Sequence, residues 1–286
     1  MKTIDSPEEM QLFSRSVRRE GRRLGFVPTM GALHAGHLSL MKAARGQSDC
    51  VAVSIFVNPL QFGPNEDFSK YPRTFEHDRR LLESEKVDVL FAPKVEAMYP
   101  AGAKTTVEVA ELSERLDGRS RPGHFKGVTT VVSKLLNIVH PDKAFFGQKD
   151  AAQVAIIRRM VRDLNMDVQI VVCPIVRESD GLAMSSRNAY LDAQQRKQAL
   201  VLYRTLNRMQ FLADQGERNI TALLDAGKQV VTDEPGAKLD YLEIVDPDSL
   251  EPVTDLNKTA LVAIAAWIGP TRLIDNLLLS APAAAL

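Results

Sequence analysis

Residues 24–57 read LGFVPTMGALHAGHLSLMKAARGQSDCVAVSIFV, and this stretch decides the fold class. Leu24 to Val27 is a short buried-strand pattern that stops at Pro28. A helical stretch follows from about Gly36 to Ala44, and Cys50 to Val57 is then a near-continuous apolar run. Runs of that kind are strands covered on both faces, as in a parallel sheet. Strand, helix and strand in this order make a right-handed βαβ crossover.

The same rhythm extends outward. Ser6-Pro7-Glu8-Glu9 is a capping box with proline at the first helical position, opening a helix to about Glu20. Further strands are expected at Val87 to Phe91, Lys143 to Phe146 and Val168 to Val172, with helices at Phe75 to Lys86, Val128 to Val139 and Ala151 to Leu164. Alternation of this kind predicts an α/β fold with a Rossmann-like, doubly wound parallel sheet. After Asn188 the rhythm changes. Asp192 to Gln215 reads as one long helix and Thr221 to Thr232 as another, with strands at Lys238 to Val245 and Ala260 to Ile268. The expected division is a nucleotide-binding domain over residues 1–185 and a small C-terminal α+β lid domain over 186–286.

Composition bounds the function. At 286 residues, 45% hydrophobic and 25% charged, the chain can build real cores. Lys plus Arg and Asp plus Glu are 36 each, so there is no global positive field of the kind a general nucleic-acid binder carries. The longest apolar run, Leu261 to Ile268, is far shorter than the ~20 residues of a membrane helix. Met1 to Glu9 is acidic with no apolar core, so no secretory signal is expected there. Cys50 and Cys173 sit in apolar runs without metal-ligand spacing, as reduced buried thiols of a cytoplasmic protein would. Arg15, Arg18, Arg19, Arg22 and Arg23 form a basic run that reads as a solvated helix face.

In an open parallel sheet, ligands bind beyond the carboxyl ends of the strands. Three polar segments stand there. The first, Pro28 to His37, ends in His34-Ala35-Gly36-His37 at a helix start. Two histidines on one face add N–H donors to free backbone amides and the positive dipole end, which suits a phosphate. Gly36 leaves room for a nucleotide to approach the backbone. Taken alone, the same pair reads equally well as solvated side chains or metal ligands, although no third ligand stands nearby. The second segment is Gly147-Gln148-Lys149-Asp150, in which Lys149 offers a point charge to a phosphate and Asp150 is placed to cap the next helix. The third runs from Arg177 to Asn188 and contains Met184-Ser185-Ser186-Arg187, two hydroxyls and a guanidinium suited to a leaving group's phosphates. There is no GxxxxGK[ST], GxGxxG or GxSxG motif. Ser39-Leu40-Met41-Lys42 matches SxxK only by accident, within a helix.

These residues carry a resemblance. PTMGALHAGH looks like the HxGH motif of the nucleotidyltransferase superfamily. Together with SIFVNPLQFGPNEDFSKYPRT, RPGHFKGV, FGQKD and DGLAMSSRNAYL, in that order between about residues 24 and 192, it resembles the pantothenate synthetase (pantoate–β-alanine ligase) family. The resemblance implies a ligase that condenses (R)-pantoate with β-alanine through a pantoyl-adenylate, releasing AMP and pyrophosphate, with ATP and Mg²⁺ as cofactors. It implies an ATP site along Met30, Gly31, Ala32, Leu33, His34, Ala35, Gly36 and His37, completed by Gly147, Gln148, Lys149, Asp150, Val176, Met184, Ser185, Ser186 and Arg187. His37 and His34, with Lys149 and Arg187, would be catalytic. Gln61 and Gln153 would hold pantoate, and Gln61 would also meet β-alanine, with Asn58 and Phe62 lining the same loop. Tyr71, Arg121 and His124 match motif positions without an assigned role, and His77 stands where more carboxylates would be expected, so the metal ligands stay unassigned. A homodimer is implied, with no nucleic-acid or membrane partner.

The chemistry agrees. A carboxylate is already ionised at pH 7, so its attack on the α-phosphorus needs no enzyme base and no serine nucleophile. The barrier lies in bringing anion to anion, which histidine, lysine, arginine and Mg²⁺ address. Two other readings compete: a different adenylating enzyme, such as a truncated synthetase homologue, and a non-catalytic nucleotide binder.

Overall fold

The computed structural model describes residues 1–63 and 68–280, so Pro64 to Asp67 of the second motif lie outside the described residues. The first part of the chain folds as β1 (Lys2–Ile4), α1 (Pro7–Arg19), β2 (Leu24–Thr29), α2 (Ala35–Gln47), β3 (Cys50–Ile55), α3 (Phe75–Ser84) and β4 (Val89–Phe91). It continues through α4 (Val95–Met98), α5 (Asp117–Ser120), α6 (His124–Val139), β5 (Lys143–Gly147), α7 (Ala151–Asp163) and β6 (Gln169–Cys173). The expected strands and helices of this half are all present. The structure adds the edge strand β1, whose three residues are too few to show a period in sequence.

All six strands run parallel in the order β1-β4-β3-β2-β5-β6. Successive strand residues face opposite layers. Phe26, Ala52 and Phe146 therefore join a core with residues of α1, α6 and α7, while Val27, Val53 and Phe145 join one with Leu40 and Met41 of α2 and Leu82 of α3. Both cysteines are buried and free in β3 and β6. The chain moves to one side of β2 through β3 and β4, then returns to the other side through β5. The switch point therefore lies between β2 and β5, and a ligand crevice belongs at their carboxyl ends.

The remainder forms α8 (Ala193–Gln198), α9 (Leu200–Asp214), α10 (Ile220–Thr232), β7 (Ala237–Val245), β8 (Ala260–Ile268) and β9 (Thr271–Leu279), the strands pairing antiparallel in that order. The single long helix expected over 192–215 is two, α8 and α9. They meet at Ala199, where Leu202 N–H bonds the carbonyl three residues back instead of four. β9 was not expected from the sequence. Leu242, Val262 and Ile264 pack with Leu206 and Leu223 on one face of this sheet. Tyr241, Leu261, Ala263 and Ala265 face the core of the parallel sheet instead. A sheet covered on both faces explains the apolar run in β8. Among the described residues no helix is long and apolar enough to cross a membrane.

Candidate active site

Beyond β2 the backbone turns sharply, and Ala32 takes a left-handed φ of +51°. For a residue with a Cβ that conformation costs on the order of 1 kcal/mol. A buried carboxylate offsets it: Asp78, from the first turn of α3, accepts Ala32 N–H at 2.8 Å and Leu33 N–H at 2.9 Å. Thr74 Oγ1 donates to the same group at 3.1 Å. The acid beside His77 is thus committed to backbone amides, while His77 itself is exposed.

His34 and His37 cap the start of α2 reciprocally. Gly36 N–H donates to His34 Nδ1 at 3.2 Å, His34 N–H donates to His37 Nδ1 at 3.3 Å, and the ring centroids are 4.1 Å apart. One of the helix amides expected to be free, that of Gly36, is therefore held by an imidazole, as is the N–H of the cap residue His34. Room at Gly36 is taken by the His34 ring, since a Cβ there would meet His34 Cε1 at 2.8 Å. A backbone N–H can only donate, so each Nδ1 accepts and each Nε2 carries the proton. Both rings are neutral donors. Burial, the neighbouring His34 and nearby Lys149 push the His37 imidazole down to about 3, and burial also lowers His34.

At the end of β5, Lys149 Nζ lies 3.8 Å from Asp150. Asp150 occupies the cap position of α7 but makes no side-chain capping bond, contrary to the sequence expectation. The loop is held from above by β9: Asn276 donates to the carbonyls of Gln148 and Lys149, each at 2.9 Å, and accepts from Gln148 Nε2 at 3.1 Å. At the end of β6, Arg177 forms a two-pronged ion pair with Asp275 of β9 at 2.6 and 3.0 Å. Met184 N–H returns to Val176 O at 3.0 Å, and Ser185 Oγ accepts Arg187 N–H at 3.3 Å. Burial pushes the Tyr71 hydroxyl up.

These segments enclose one crevice of about 240 Å³. Met30, His34, Gly36, His37, Gln61, Gly147, Lys149, Asp150, Gln153, Val176, Met184, Ser185, Ser186 and Arg187 all line it, with Asn58, Phe62, Tyr71, Arg121 and His124. Val128, Val131, Val132 and Leu135 of α6 supply an apolar wall. A second cavity of about 500 Å³ shares Arg121, His124, Lys149, Asp150, Gln153, Ser185 and Arg187, and continues toward Trp267 and Arg272. Gly31, Ala32, Leu33, Ala35 and Gln148 do not line either cavity; they build the loops that do. Asp78, Asn276 and Asp275 escaped the sequence reading because each acts across a long separation in the chain.

The family model for pantoate-beta-alanine ligase matches residues 2–278. The chain belongs to this family. A pantothenate synthetase from Koribacter versatilis is 64% identical over 98% of this chain and 97% of its own length. The crystal structure of pantothenate synthetase from Thermus thermophilus superposes with a TM-score of 0.92 at 48% identity, covering 97% of this chain and 99% of that one. A pantoate-beta-alanine ligase from Francisella tularensis, complexed with beta-gamma ATP and beta-alanine, gives a TM-score of 0.80 at 38% identity over 97% of both chains. Like these family members, the chain is an enzyme with a parallel α/β sheet and a small antiparallel C-terminal sheet.

Proposed function

We propose that this chain joins (R)-pantoate to β-alanine in two steps at the crevice between β2 and β5. The pantoate carboxylate attacks the α-phosphorus of ATP, giving pantoyl-adenylate and pyrophosphate. The β-alanine amine then attacks the acyl carbon and releases AMP and pantothenate. The observation that carries this reading is the convergence of His34, His37, Lys149 and Arg187 on one cavity beside Gln61 and Gln153. Neutral imidazoles donate Nε2–H without first shedding a proton, and Lys149 and Arg187 supply the positive charge that two anions need to meet. Ser185 and Ser186 act as hydrogen-bond donors, not nucleophiles. The second step attacks a reactive mixed anhydride, so positioning and exclusion of water dominate it.

Among the described residues, Asp150 is the one carboxylate lining the 240 Å³ crevice. A Mg²⁺ held mainly by nucleotide phosphates and water, with one protein carboxylate, suits that donor set. When bound, it would neutralise charge on the phosphates. The reading carries with it a cytoplasmic homodimer, and a C-terminal unit beginning near residue 186 that closes as a lid over the adenylate. Pyrophosphate exchange into ATP tests the function: it should require pantoate and ignore amino acids. Exchange without pantoate would overturn it.

A further inference from the structure

Asn58 is almost completely buried, and every polar atom of its amide is engaged. Its Oδ1 accepts Leu60 N–H at 3.2 Å and the Tyr99 hydroxyl at 2.8 Å. Its Nδ2 donates to Gly127 O and to Gln61 Oε1, both at 3.0 Å. Two of these partners are backbone groups with a single role: Leu60 N–H only donates and Gly127 C=O only accepts. They fix which way the Asn58 amide faces, without reference to any ligand. Gln61 must therefore turn Oε1 toward Asn58, and its Nε2 toward the crevice.

Among the described residues that nitrogen meets only Met30 Sδ, at 3.0 Å. A thioether is a weak acceptor, so an oxygen from a ligand would displace it readily. The Gln61 backbone is fixed as well. Arg121 Nη1 lies 2.9 Å from His124 Nε2 and can only donate, so His124 donates from Nδ1 to Gln61 O at 2.8 Å. Close packing of α6 makes the arrangement reachable, since a Cβ on Gly127 would meet Leu60 O at 2.2 Å.

We infer that Tyr99 and Asn58 are positioning residues that lock Gln61 with its amide donor facing the crevice, so that this position selects a ligand offering an oxygen acceptor. The consequence for pantoate rests on the function proposed above; the orientation itself does not. In Asn58→Asp an acceptor faces Gln61, which must turn its nitrogen toward position 58, away from the crevice, and present Oε1 to the carboxylate or hydroxyl of pantoate. Tyr99→Phe removes one of the three groups that, besides Gln61, hold the Asn58 amide.

Steady-state kinetics of both variants read the effect. Expected are a rise in the pantoate KM of about three- to tenfold for Tyr99→Phe and about a hundredfold for Asn58→Asp, with the ATP KM within twofold of the parent. An unchanged pantoate KM in Tyr99→Phe, or equal losses for ATP and pantoate, would overturn the role. A second measurement on the free protein needs no substrate and separates this inference from the proposed function. Hydrogen exchange of the Asn58 side-chain NH₂ should be slow and that of Gln61 fast, with Tyr99→Phe accelerating Asn58. Slow Gln61 and fast Asn58 exchange would sink the inference even if pantoate is the substrate, and the expected pattern would sustain it even if pantoate is not.

Discussion

His37 Nδ1 accepts the backbone N–H of His34, three residues earlier, and His34 Nδ1 accepts that of Gly36. The pair is thereby held neutral, with both Nε2–H groups left to act as donors. Removing one donor from a preorganised site commonly costs about 10²–10³ in rate. His37→Ala and Lys149→Ala should each lower pantoate-dependent pyrophosphate exchange by on the order of 10²–10³-fold. Parent-like exchange in either variant would refute its role.

The burial of His37 in this pair makes stability depend on pH. The His37 imidazole titrates near 6.5 when unfolded but is pushed down to about 3 in the folded chain, chiefly by burial. Between those values the unfolded chain binds more protons, so stability present above pH 6.5 is lost as pH falls toward 3. Calorimetry on the ligand-free protein should find that going from pH 6.5 to 5 costs about 1–2 kcal/mol. His37→Gln cannot take up that proton and should show a shallower decline; identical slopes would show that His37 is not the group responsible.

Asp78 supports the left-handed turn at Ala32 by accepting two amides with two oxygens. Asp78→Asn can satisfy only one of them and sets an NH₂ against the other. The expected loss is about 1–3 kcal/mol of stability. ATP affinity, measured by calorimetry, should fall several-fold alongside it, because His34 and His37 hang from the same loop. A stable variant with parent-like ATP binding would mean the turn holds itself.

Sequence pattern reached the sheet, because strands buried on both faces stand out as apolar runs, and a helix can announce itself by a cap such as Ser6. It reached the crevice because three of its walls follow strand ends directly. It did not reach the supports. Asp78 reads as an ordinary acid in the first turn of a helix, and its partners lie 46 and 45 residues away. Asn276 looks like one more strand residue until β9 is set over the β5 loop. The room at Gly36 was legible, but not that a histidine ring two residues earlier would fill it.

The tie between the two sheets makes the last prediction. Arg177 leaves β6 just before the loop that carries Met184 to Arg187, stacks 4.9 Å over the Tyr203 ring and meets Asp275 of β9. The Asp275 side chain is only 2% exposed, so its charge depends on that guanidinium. Truncating one partner of such a pair leaves a buried charge uncompensated, at about 3–5 kcal/mol. Arg177→Ala should show this in urea denaturation. Arg177→Lys should recover little, because a single ammonium cannot reproduce the two-pronged contact. Replacing both partners, as in Arg177→Met with Asp275→Leu, should be less costly than Arg177→Ala alone, since no unpaired charge remains. If the double variant were instead as unstable as the two singles added together, the pair would carry no coupling, and the sheets would be held by their other contacts, the Asn276 hydrogen bonds and the shared apolar core around Tyr241 and Leu261 among them.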